Sequence, residues 1–154
     1  MAMLKKAEAT QSRFAGRFEA VDRWLENRKG LLVSYLQLTS GQVALPSRSA
    51  IAEFCNVLVD YVSAGHFEIY QELLQQAERT SPEAEAEVKS RYPQLTASTD
   101  LALAFNDRYA DAEDELMIQH LDADLAALGV ALAGRFELED ELLALLFGDE
   151  DLAA

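Results

Sequence analysis

The chain is poor in the residues that build covalent and catalytic devices. Its 154 residues include one cysteine, two histidines, three prolines and seven glycines. One thiol, Cys55, excludes an internal disulfide, and on the apolar side of its segment it reads as a small core residue. A bundle di-iron centre needs Glu-x-x-His on two helices. The residues three before His66 and His120 are Ser63 and Met117. No apolar run approaches the roughly 20 residues that span a bilayer, and no charged-then-apolar leader opens the chain. Neither a G-x-S-x-G motif nor a phosphate-cradling glycine loop occurs. The expectation is a cytoplasmic protein that is not an enzyme, with no catalytic residues, no metal and no cofactor.

Basic residues are also scarce. Thirteen Lys and Arg stand against 27 Asp and Glu, a formal charge of −14. Such a field repels phosphate backbones and anionic headgroups, which argues against direct DNA binding and membrane contact, and it draws basic partners. Plain solubility accounts for the same number equally well.

What the chain has in quantity is helical periodicity, with half of its residues hydrophobic. The central stretch is Phe54 to Leu74, FCNVLVDYVSAGHFEIYQELL. Phe54, Leu58, Val62, Gly65, Ile69 and Leu73 form one apolar stripe at 3.6 residues per turn. A nearly opposite face carries Val57, Ala64, Phe67 and Leu74 around Asp60. A helix apolar on two sides is central in a bundle or half-covered by a partner. A carboxylate among apolar groups needs a donor.

The rest of the chain frames that helix. Residues 1–17 read as a weak N-terminal helix. Val21, Trp24, Leu25, Arg28, Leu32 and Tyr35 keep helical spacing, with Arg28 inside the stripe. Its guanidinium either reaches solvent along its stem or makes an interior ion pair. Residues 39–47 read as a loop, with Ser47 or Ser49 capping the long helix to about Arg79. Close helix approach is a reason for Gly65, and His66 reads as a hydrogen-bonded core residue. Thr80-Ser81-Pro82-Glu83 starts the next helix, and Tyr92-Pro93 is expected to end it. Pro93 then opens another helix, 106–112 breaks it, and Asp111 is a candidate cap for the last. That helix carries Ile118, Leu121, Leu125, Leu128, Leu132, Phe136, Leu143 and Leu146. Glu139 falls in this stripe, where it pairs with Arg135 at i,i+4 or with Arg28. Residues 148–154 form an acidic tail.

The expected architecture is a single all-α domain over 1–154 with its core in 18–147. It is an antiparallel up-down helical bundle of four long helices with a broken third element.

VDRWLENRKGLLVSY, FCNVLVDYVSAGHFEIY, YPQLTASTDLALAFNDRY and GRFELEDELL follow one another in the chain. From Val21 to Leu143 the sequence resembles the Rsd/AlgQ family, bacterial regulators of the primary sigma factor of RNA polymerase. The resemblance implies a helical-bundle anti-sigma factor. Its target would be sigma region 4, a basic helix-turn-helix, and its effect reduced use of that sigma by the polymerase. Asp60, Tyr61, Ser63, Phe67 and Tyr70 are the implied sigma-binding residues, joined by Asp22 and Trp24 from DRWL. Trp24 lies on a core stripe and reads more as packing, while Asp22 is expected in solvent. Arg28, His66, Arg135 and Glu139 are expected as a structural polar core. A generic acidic module that docks another basic partner, or forms a homodimer, is the competing reading.

Overall fold

The computed structural model describes residues 2–14, 19–39, 46–111 and 113–148, and every described element is helical. Six α-helices follow in order: α1 Ala2–Phe14, α2 Glu19–Thr39, α3 Arg48–Ala64, α4 Tyr70–Thr80, α5 Pro82–Tyr109 and α6 Asp114–Leu143. A π-helical turn, Gly65–Ile69, joins α3 to α4 without a loop, and a second, Ala144–Gly148, extends α6. Residues 40–45 of the expected loop and 149–154 of the acidic tail lie outside the described residues.

Local chemistry sets the boundaries of these helices. Ser47 caps α3 by accepting from the Ala50 N–H at 3.1 Å. Ser81 caps α5 by accepting from the Ala84 N–H at 3.0 Å, with Pro82 in the first turn. Both satisfy donors that a helix start leaves orphaned. Asp111 does not cap α6; the cap position is Glu113, which makes no side-chain cap bond. Glu113 instead bridges to Arg48 at 2.7 Å, tying the start of α6 to the start of α3.

Consecutive long helices run antiparallel. Along α2 and α3, Tyr35 meets Phe54 and Arg28 meets Tyr61. Along α3 and α5, Phe54 meets Phe105, and from the π-turn His66 meets Tyr92. Arg91 on α5 reaches Glu141 on α6, and Tyr109 reaches Asp124. The stripes on these helices meet in one core. Val21, Leu25, Leu32, Phe54, Leu58, Val62, Ile69, Leu73, Leu121, Leu128, Leu132 and Leu143 are all buried. The first helix, α1, lies on α2 and α6, with Ala7 and Thr10 buried.

The break expected at Tyr92-Pro93 does not occur. Pro93 lies inside α5, which continues through it. Proline removes one N–H and leaves the Lys89 carbonyl without its helical partner. Lys89, Pro93 and Gln94 are exposed, which leaves that stretch of backbone open to solvent. Val88 on one side of the proline and Leu95, Thr99 and Ala102 on the other are buried, which holds the two halves in line.

Candidate functional site

The second face of the central helix is open. The α3 helix packs on α2 and α5, and α4 on α5 and the second π-turn. On the side bearing Asp60, Val57, Ala64 and Leu74 pack in part against the core, while Asp60 and Phe67 stand out of it. Asp60 is exposed and makes no ion pair or hydrogen bond among the described residues. Val57, Ser63, Ala64 and Leu74 are half-buried, and Phe67 is 67% exposed. An exposed phenylalanine and, seven residues before it, an unpartnered carboxylate give this side an apolar anchor and one charge. The face continues onto α2 through a notch lined by Ala20, Arg23, Asn27, Ala64 and Glu68.

Directly beneath it lies a buried polar network centred on Glu139. One carboxylate oxygen accepts from Arg28 Nη2 at 3.1 Å and from the Tyr61 hydroxyl at 2.5 Å. The other accepts from Arg135 Nε at 3.0 Å and from the Tyr70 hydroxyl at 2.5 Å. Four donors fill the four lone-pair positions of the carboxylate. Arg28 also donates to Tyr61 through Nε and to Asp140 through Nη1, at 3.0 and 2.6 Å. Arg135 donates to Ser98, Thr99 and the Val62 carbonyl. Thr10 of α1 donates to Asp140 at 3.0 Å. Every α-helix therefore contributes a group, and two arginines balance two carboxylates.

The electrostatics follow from that packing. Burial alone would lower the Arg28 pKa, but Tyr61, Glu139 and Asp140 together outweigh it and hold the guanidinium charged. Arg135 behaves likewise, with burial opposed by Glu139, Tyr70 and Tyr61. Burial first, and the neighbouring Glu139 carboxylate after it, push the Tyr61 and Tyr70 phenols up; beside Tyr61 the two arginines oppose this.

The π-turn makes this network possible. Tyr61 and Tyr70 are nine residues apart, which on a regular helix puts them about 180° apart. The wider turn at Gly65–Ile69 takes up one extra residue. Both phenols then reach the same carboxylate. Gly65 sits where a Cβ would come within 3.0 Å of Arg135 Nη2 and 3.3 Å of Trp24 Nε1. The close approach is to these side chains, not to another helix backbone.

Several of the expected contact residues are therefore interior. Tyr61 has no accessible surface, Trp24 has 1% and Tyr70 has 3%. Tyr61 is wholly enclosed, while Trp24 borders the notch on α2 and Tyr70 the groove beside α4 with little surface of their own. Trp24 stacks on Tyr61 at 5.6 Å, and Arg28 lies 5.2 Å from its ring centroid. These three shape the open face from below. Asp22 is half-buried, not in solvent, and engaged within the molecule. Asp60, Ser63 and Phe67 remain at the surface. Arg28, Arg135 and Glu139 are buried together, so Glu139 pairs with both arginines. His66 is outside that network; it is half-buried at the far edge of the face, 3.2 Å from the Tyr92 hydroxyl.

Sequence reasoning missed Thr99, Ser98 and Tyr92. The first two are ordinary helix residues until Arg135 reaches them, and Tyr92 was hidden by the break expected at Pro93. Among the described residues, no group of three or more His, Cys, Asp or Glu is placed to hold a metal ion. No described helix is long and apolar enough to cross a membrane.

Comparison with known proteins bears on what this face is for. Residues 3–147 match the family model described as "Regulator of RNA polymerase sigma(70) subunit, Rsd/AlgQ". A protein named regulator of sigma D from Enterobacter sp. strain 638 is 39% identical over 99% of this chain and 94% of its own length. The protein of that name from Yersinia enterocolitica is 37% identical over 92% of this chain and 88% of its own length. That from Yersinia pseudotuberculosis serotype O:1b is 35% identical over 92% and 87%. With a match that takes in nearly all of α1 and runs through α6, the chain belongs to the Rsd/AlgQ family of regulators of the RNA polymerase sigma(70) subunit.

Proposed function

We propose that this protein is an anti-sigma factor that binds region 4 of the primary sigma factor and lowers its use by RNA polymerase. The observation that carries the reading is the second face of the central helix, where Asp60 on α3 is exposed and unpartnered and the ring of Phe67 in the π-turn is 67% exposed. Region 4 is a basic helix-turn-helix, and a chain of charge −14 steers towards such a partner. The aromatic ring supplies apolar area at the centre of a contact, and the carboxylate selects an Arg or Lys beside it. Membership of a family of sigma regulators supports the same partner. The protein acts by occupying region 4, in a cytoplasmic setting, without contacting DNA.

Calorimetric titration of isolated region 4 into the protein at two salt concentrations tests this. Tight binding that weakens with salt is expected, and Asp60→Arg should abolish it while leaving helicity intact. Unchanged affinity in Asp60→Arg would remove Asp60 from the interface. Absence of binding by the wild-type protein would remove region 4 as the partner.

A further inference from the structure

The Asp60 face does not end at Phe67. A row of rings runs from it across the molecule: Phe67 to His66 at 5.0 Å between centroids, then His66 to Tyr92 of α5 at 5.6 Å. Between the π-turn with α4 and the first half of α5 lies an open groove of about 490 Å³, with Leu74 and Val88 among its lining residues. Tyr92 is 44% exposed at its wall. Large exposed aromatics next to an apolar groove mark an interaction site more often than a resting surface.

The charges around the groove choose the occupant. Among the described residues Lys89 is the only Lys or Arg lining it, and Lys89 is paired with Glu85 at 2.7 Å, with Glu78 also acting on it. Glu68 is exposed on the same turn as Phe67. An apolar groove bordered by carboxylates suits an amphipathic helix with apolar side chains flanked by Lys or Arg. A second copy of this chain, at −14, would meet its own charge there.

Resting on the sigma reading above, we propose that the sigma-binding surface crosses the π-turn onto α5. A basic amphipathic segment of sigma lays an apolar side chain between Phe67 and Tyr92 while its cation meets Asp60. Tyr92 is then a contact residue on a different helix from the family's central motif. The Lys89–Glu85 pair leaves the groove wall without net positive charge against that partner, and a carboxylate in place of Lys89 would add to the attraction.

The test titrates full-length primary sigma factor into the wild-type protein and three variants, with thermal unfolding of each as a control. Tyr92→Ala should weaken binding about tenfold, as loss of a central aromatic does. Lys89→Glu should tighten it several-fold through faster association, a gain that a damaged fold does not give. Asp60→Arg reports on the parent reading. Asp60→Arg abolishing binding while both groove variants stay within about twofold of wild type would overturn the extension onto α5 and leave the sigma reading standing. No binding by wild type would overturn both. A dimer in analytical ultracentrifugation without sigma, dissolved by Tyr92→Ala, would assign the groove to a second copy and overturn the proposal.

Discussion

Arg28 on α2 and Glu139 on α6 meet at 3.1 Å with side chains 1% and 0% accessible. The pair crosses the bundle where both helices turn their apolar stripes inward. It is held by what surrounds it: with Arg28 itself, two phenols and a second arginine leave no lone pair of the Glu139 carboxylate open, and Asp140 accepts from Arg28. Burying such ions is costly, and an incomplete set would be worse than an apolar core.

Removing one member should therefore be expensive. Arg28→Ala is expected to lower unfolding free energy by about 3–5 kcal/mol. Glu139→Ala should cost at least as much, because it strands Arg135 and leaves Arg28 only Asp140. Urea unfolding followed by circular dichroism measures both. Wild-type stability in either variant would place these charges in solvent.

The glycines should separate by surroundings. Gly30 is exposed inside α2 with nothing near its missing Cβ, so Gly30→Ala should stabilise by about 0.5–1 kcal/mol. At Gly129 a Cβ would overlap the Tyr35 hydroxyl, which donates to the Leu125 carbonyl at 2.9 Å. Gly65→Ala would press on Arg135 and Trp24. These two substitutions should destabilise by about 1–3 kcal/mol, with thermal midpoints as the readout.

Pro93→Ala should stabilise. An interior proline is about 3 kcal/mol less favourable than alanine in a helix. It returns about 0.4–1 kcal/mol by restricting the unfolded chain. A net gain of about 2 kcal/mol in unfolding free energy is expected, read as a higher denaturation midpoint. A loss instead would mean that the Pro93 ring makes packing contacts that alanine cannot.

Alkaline pH should unfold the protein. Tyr109 is pushed up to about 12, by burial and then by its hydrogen bond to Asp124, and Tyr61 and Tyr70 are also raised. A phenol whose folded pKa exceeds its unfolded value stabilises fully below the unfolded pKa. That stability is lost as pH rises through the folded value. Stability should therefore fall from about pH 10 towards pH 12. Ultraviolet difference absorbance should show Tyr61 and Tyr70 ionising only as the helical signal is lost. Their titration in a still-folded protein would contradict the network.

Much of this was legible in the order of residues. Apolar spacing places Phe54, Leu58, Val62 and Leu73 in the core, because helical period and burial are local and additive. Ser81-Pro82 marks a helix start through its own hydrogen bonds. Arg28 and Glu139 stand out because a charge within an apolar stripe is rarely chosen for packing. The motifs that resemble the Rsd/AlgQ family agree with the family match over residues 3–147.

Other features came only with the assembled bundle. Pro93 carries a local signal to stop, but burial on both sides outweighs one lost hydrogen bond. The alternative partners of Glu139 prove to be simultaneous, which no pairwise spacing reveals. Tyr61 and Tyr70 stand among the contact residues that the resemblance implies, and a regular helix would hold them half a turn apart. The inserted residue of the π-turn rotates Tyr70 onto the side of Tyr61. The sequence by itself determined the helices and the charges that needed partners, since those depend on neighbours along the chain. Only the tertiary structure decided which aromatic groups satisfy the buried charges and which stay at the surface. That choice depends on a one-residue shift in helix phase and on side chains from four helices meeting at one carboxylate.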